Sequence, residues 1–193
     1  MPDPDRLQAA RQLVDWRKVE MDARCVRLGS GQEVTLNGIA QGFASDRVRD
    51  VLEAHGIRYA LANTGEFGAI SHKPEGKSWR IGIQHPRVPD AYVSLAALDD
   101  RFLATSGDYE TKFSEDFSSN HIFDPTTGRS PTTLSSVTVI APTGLEADAL
   151  STAIFVLGPD KGLKLAASRS GVEALTVLKD GDLVSTPNFP RCA

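Results

Sequence analysis

Cysteine is scarce. The 193-residue chain has two, Cys25 and Cys192. They lack the close spacing of a metal knuckle and need not pair. The sequence carries no Cys/His cluster of the zinc type and no Ser/His/Asp set of the hydrolase-elbow type. Neither GxGxxG nor a P-loop occurs. Basic residues form no stripe: 21 Lys and Arg stand against 25 Asp and Glu, a net charge of −4. No nucleic acid is therefore expected as a partner. No run approaches the ~18 apolar residues of a membrane span. The first residues, MPDPDRLQ, are polar and hold two prolines, unlike a secretory signal. There is no internal repeat, no low-complexity segment and no clear linker. What remains is an ordinary globular composition, 40% hydrophobic and 24% charged. It reads as one soluble domain over 1–193, long enough to bury a core.

Periodicity places the elements. Leu7, Ala10, Leu13 and Val14 have helical spacing over 5–16. "CVRLGSGQEVTL" reads as two strands about a Gly-Ser-Gly turn, with Val26/Leu28 and Val34/Leu36 alternating. Over 37–56, Ile39, Ala40, Ala44, Val48, Val51 and Leu52 form an apolar helical stripe that Gly56 ends. "YALANTG", "GAIS", "WRIGIQ", "YVSLAAL" and "FLATSG" are strand candidates separated by Pro/Gly loops. "SSVTVIAP" is a strong buried strand leading into "TGLEADALSTAIFVLG", an apolar helix from Thr143 to Gly158. A second helix near 160–169 and strands near 172–178 and 183–186 complete the pattern. Hairpin-like pairs among the interleaved elements argue for α+β with mixed or antiparallel sheets rather than a parallel sheet.

Chemistry-bearing residues stand out against this frame. Asp148 and Thr152 sit at i and i+4, on one helix face, with Ser151 beside them. An unpaired carboxylate among so many apolar neighbours is costly. A hard cation such as Mg²⁺, which takes oxygen ligands, resolves the cost. A helix-capping role near the first turn resolves it equally well. "NGIAQG" (37–42) enters a helix through a glycine turn, where backbone amides hold phosphate or Gly38 lends a carbonyl to a metal. "TSGDYE" (105–110), "ANTGE" (62–66) and "NHIFDPTTG" (120–128) are polar loops at strand ends. His121 in the last is suited to touch a phosphate or carry a proton, or is simply a loop residue.

Taken in order, "NGIAQGFASD", "LANTGE", "ATSGDYE", "HIFDPTTGR" and "SVTVIAPTGLEADALSTAIFVLG" resemble the FAD:protein FMN transferase family, also called ApbE or thiamine-biosynthesis-lipoprotein-like. The resemblance runs from about residue 13 to about residue 180. It implies an ApbE-like fold related to the T-fold. It also implies that Mg²⁺ is held by Asp148, Thr152, Ser151 and the Gly38 carbonyl. Asp148, Thr152 and His121 are the catalytic residues it implies. The cofactor-binding positions it implies are Thr35, Gln41, Ser106, Gly107 and Ile122. Thr35 stands where the family often has Asp, and Gln41 where Lys or Glu is common.

The activity implied is Mg²⁺-dependent transfer of FMN from FAD to a Thr or Ser hydroxyl of an acceptor flavoprotein, with release of AMP. Hydrolysis of FAD without an acceptor, and flavin binding without catalysis, are the alternatives. A homodimer is an expected assembly. Members are typically exported and carry an N-terminal portion that precedes the region matched here, so this chain is expected to begin partway through the family pattern.

Overall fold

The computed structural model describes residues 3–192. The chain ends lie outside them, including part of the expected 1–193 domain. Six strands form an antiparallel sheet in the order β10-β9-β8-β7-β4-β3. They are β3 (Ala60–Asn63), β4 (Phe67–Ile70), β7 (Phe102–Gly107), β8 (Leu134–Ala141), β9 (Glu173–Leu178) and β10 (Leu183–Ser185). A hairpin of β5 (Trp79–Gln84) and β6 (Tyr92–Leu98) covers one face of this sheet. Ile81, Ile83, Ala96 and Leu98 of the hairpin meet Leu103, Ile140 and Leu175 there.

Helices α2 (Ala40–Ala54) and α3 (Gly144–Ala167) lie on the other side, with α3 against β7 and β8. Ala147, Leu150, Ile154 and Phe155 of α3 pack on Phe102, Ala104, Val137 and Val139. Both faces of β8 are thus covered, and every one of its positions is buried. That is why its sequence is nearly continuous in apolar and small residues rather than alternating.

The helix read over 143–158 and the one near 160–169 are two helical segments of α3, separated at Gly158, whose φ of 77° and ψ of 174° are not helical, just before Pro159. Proline has no N–H to continue the ladder and its ring displaces the preceding turn.

Two expectations are corrected. Val34 and Leu36 form no strand. Instead β2 (Val26–Arg27) pairs with β1 (Glu20–Met21), because the Asp22 carboxylate accepts the N–H groups of Arg24 and Cys25 and turns the chain there. Gln32 then draws the strand away, donating to the carbonyls of Leu13 and Asp15. The second correction concerns α2. Its apolar stripe is only partly its buried face: Ile39, Val48 and Leu52 are half-buried and Ala40, Ala44 and Val51 exposed, while the fully buried residues are Gly42 and Ser45. A close crossing with α3 selects small residues at the contact. A Cβ on Gly42 would lie 2.2 Å from the Gly144 carbonyl oxygen. The first helix, α1 (Pro4–Leu13), forms as expected, with Asp3 capping it, but buries none of its residues.

Candidate active site

The two crossing helices cap each other. Ile39, at the start of α2, has no side-chain cap. Asp148 of α3 fills the role: its Oδ2 accepts the Gly42 N–H at 2.9 Å. In return Asp46 of α2 accepts the N–H groups of Gly144 (2.7 Å) and Leu145 (3.0 Å) at the start of α3. Thr143 adds the ordinary local cap through the Glu146 N–H. Helix starts leave such donors unpaired, and a carboxylate there also meets the positive end of the dipole. The capping alternative for Asp148 therefore holds, but for a different helix from its own.

One turn along, the hydroxyls gather. Ser106 of β7 bonds to Ser151 at 2.7 Å and to Thr152 at 3.0 Å. Ser151 also donates to the Asp148 carbonyl at 2.8 Å, satisfying itself within the helix. Gly38 lies beside Thr152: a Cβ at this position would be in van der Waals contact with Oγ1, 3.7 Å away. So Gly38, Ser106, Asp148, Ser151 and Thr152 come together from three elements. Their donor set is all oxygen, without thiol or imidazole, and a hard divalent cation takes such donors. Among the described residues no three His, Cys, Asp or Glu side chains group as a metal cluster. A cation here would rest on Asp148 and neutral oxygens.

Burial raises the Asp148 pKa above its ordinary value, against the lowering effect of the Gly42 N–H. Asp148 is 6% exposed. Sequence reading missed its neighbour Glu66, 8% exposed in the β3–β4 turn. Burial pushes Glu66 up to about 8, with the Asp148 and Glu110 charges adding to the rise and the Thr105 N–H opposing it. The β4–β7 ladder stops at Phe67–Leu103. Beyond it β7 continues its pairing with β8 through Gly107. The turn is fastened to α2 by a 2.6 Å bond between Thr64 and Ser45. The signal for Glu66 was its place at the end of "LANTGE"; nothing local marked it as buried.

The remaining expected residues fall elsewhere. Gln41 is exposed and reaches the same turn, where a Cβ on Gly65 would lie 3.0 Å from its Nε2. Gly107 is buried beneath the Tyr109 ring. Burial first, then the Glu110 and Asp108 charges, push Tyr109 up to about 12. Thr35 is exposed and its hydroxyl accepts the Asn37 N–H at 3.3 Å, a local turn. His121 is exposed on the 108–133 loop, where its N–H donates to the Thr111 carbonyl. The next side chain, Ile122, is buried in the core that α3 shares with the sheet.

This architecture defines a class: an antiparallel α+β protein with an oxygen-lined site between a mutually capped helix pair and the sheet. The chain belongs to the ApbE family, whose sequence model matches residues 1–176. It is 34% identical over 200 residues to the FAD:protein FMN transferase of Treponema pallidum, covering 93% of this chain and 55% of that protein. With the FAD:protein FMN transferase of Escherichia coli (strain K12) it shares 36% identity over 162 residues, 82% of this chain and 46% of that one. The fold superposes on the ApbE protein of Thermotoga maritima with a TM-score of 0.89 at 32% identity, over 100% of this chain and 65% of that one. Against the apo flavinyl transferase ApbE of Pseudomonas stutzeri the TM-score is 0.81 at 38% identity, over 97% and 60%. The chain thus spans about half the length of the curated relatives it matches.

Proposed function

We propose that this chain carries the phosphoryl-transfer centre of a flavin transferase. FMN would pass from FAD to a Thr or Ser hydroxyl of an acceptor flavoprotein, and AMP would leave. A new P–O bond forms between the acceptor oxygen and the FMN phosphorus. The bond from that phosphorus to the bridging oxygen breaks, and the pair of electrons departs with AMP. Such a reaction needs alignment and charge stabilisation more than covalent help from the protein.

The observation that carries this reading is the convergence of Ser106, Ser151 and Thr152 hydroxyls beside the Asp148 carboxylate and the Gly38 backbone. The donor set suits Mg²⁺, with Asp148, Thr152, Ser151 and Gly38 as the residues that would hold it. When bound, such an ion supplies Lewis-acid polarisation of phosphoryl oxygens. Asp148 provides the negative charge. Its bond from Gly42 fixes the rotamer, so the second oxygen keeps one direction. The hydrogen bonds of Ser106 hold Ser151 and Thr152 in place. His121, on its loop, is assigned to the phosphate or to the proton of the attacking hydroxyl.

The test is incubation with FAD, Mg²⁺ and an acceptor domain, read by intact mass. Gain of one FMN on the acceptor is expected. Free FMN and AMP with an unlabelled acceptor would replace this reading with hydrolysis. A yellow protein without turnover would replace it with flavin binding.

A further inference from the structure

Asp108, directly after β7, is 0% exposed. Its carboxylate accepts from Arg87 Nη1 at 2.8 Å and Nη2 at 2.7 Å, and also from Lys179 Nζ. Arg87 comes from the β5–β6 loop and Lys179 from just beyond β9, so one carboxylate gathers three distant segments. Arg87 also donates to the Ser135 hydroxyl at 2.9 Å. A buried charge of this kind is tolerated only while its partners stay in place.

The node reaches out to the long loop between β7 and β8. Lys179 donates to the Phe117 carbonyl at 3.0 Å. The Arg87 guanidinium stacks 3.9 Å from the centre of the Phe117 ring. Phe117 has φ 59°, a left-handed backbone that a side chain with a Cβ rarely adopts. Such strain persists where the surroundings over-determine it. Five residues on, Ile122 is sunk into the core that α3 shares with the sheet. Its N–H is held by the Asn120 side chain at 3.0 Å, and Asn120 is itself buried. His121 is therefore strung between two anchors: the ion node under Phe117 and the apolar seat of Ile122. Among the described residues no hydrogen bond ties the exposed imidazole to Asp148, Ser151 or Thr152. Its placement is left to the anchors and to the bond from the His121 backbone N–H to the Thr111 carbonyl.

We propose that the Arg87–Asp108–Lys179 node is a positioning device for His121, with Asp108 and Lys179 as positioning residues for phosphoryl transfer. The functional half of this proposal rests on the transferase reading above. Lys179→Met removes the hydrogen bond to the Phe117 carbonyl while leaving the Arg87–Asp108 pair and the Arg87 stack on Phe117 intact. Lys179→Arg keeps the charge and the donors.

Two measurements test it. In hydrogen exchange, the His121 and Phe113 amides of Lys179→Met are expected to exchange at least about tenfold faster, with β8 and α3 amides unchanged. In steady-state FAD turnover, kcat is expected to fall on the order of tenfold at an assay temperature well below melting, and Lys179→Arg to recover most of it. A merely structural node would lower the melting temperature and leave kcat alone. Unchanged loop exchange, or faster loop exchange with unchanged kcat, overturns the proposal. Asp108→Asn is the harsher variant; if it does not fold, Lys179→Met decides. If the wild-type chain does not turn over FAD, the transferase reading fails, and loop exchange alone decides whether the node holds the His121 segment.

Discussion

Asp148 on α3 accepts the backbone N–H of Gly42 on α2 at 2.9 Å, across 106 positions of sequence. Together with Asp46 of α2, which accepts the first amides of α3, it makes each helix the cap of the other. A single carboxylate thus serves the packing of the helix pair and faces the candidate site. Its structural and chemical roles can be separated by substitution.

Asp148→Asn keeps an oxygen for the Gly42 N–H and removes the charge. We expect a folded protein with a near-normal melt and a loss of Mg²⁺-dependent FAD cleavage on the order of 10²-fold or more. Separation of FAD, FMN and AMP over a Mg²⁺ titration checks this. Full turnover in the variant would remove Asp148 from the proposed ion site.

Gly42→Ala should damage the fold rather than the chemistry alone. The new Cβ would meet the Gly144 carbonyl oxygen at 2.2 Å and its carbon at 2.6 Å, and neither is a flexible side-chain end. Overpacking of this kind costs about 1–3 kcal/mol. Urea unfolding of the variant beside wild type reads it directly; equal midpoints would mean that the crossing is looser than described.

Asp46→Ala removes the cap on the Gly144 and Leu145 amides while Thr143 still serves Glu146. The expected loss is about 1 kcal/mol. A thermal melt measures it, and Asp46→Asn should recover part of the stability because the amide oxygen still accepts.

Glu66 makes stability depend on pH. Its folded value lies near 8, against an ordinary 4.5. The folded state therefore binds more protons than the unfolded state between those limits. Stability is fullest below about 4.5, declines as pH rises, and levels off above about 8. Asp148, also raised, acts in the same sense. In metal-free protein, Glu66→Gln should flatten the decline in urea midpoint across this window. An undiminished slope in the variant would assign the dependence to other groups.

Much of the fold was legible. The run "SSVTVIAP" and the helix after it carry strong local patterns, and both form as read. What escaped reading was set by side-chain hydrogen bonds. The strand expected at Val34–Leu36 was lost to the Asp22 turn and to the grip of Gln32 on Leu13 and Asp15, which no hydrophobic alternation reports. The face of α2 was read only in part for a related reason: Ile39, Val48 and Leu52 of its stripe are half-buried, but Ala40, Ala44 and Val51 are exposed. Periodicity scores bulk, whereas the crossing with α3 is built from Gly42 and Ser45, where the absence of side-chain volume lets two backbones meet.

The candidate site divides in the same way. The i, i+4 spacing of Asp148 and Thr152, with Ser151 between, follows from helical geometry and was readable from the chain alone. That Ser106 closes on both hydroxyls depends on α3 lying over β7. So does the mutual capping through Asp46 and Asp148, which needs the helices to cross at two glycines. Glu66 and Asp108 look like ordinary turn acids in the sequence. Their burial comes from segments brought together only by folding: β7 and α3 around Glu66, the β5–β6 loop and the end of β9 around Asp108. Local sequence determined which residues share a face. Long-range packing alone decided which of them lose water, because desolvation depends on what the rest of the chain places against a carboxylate.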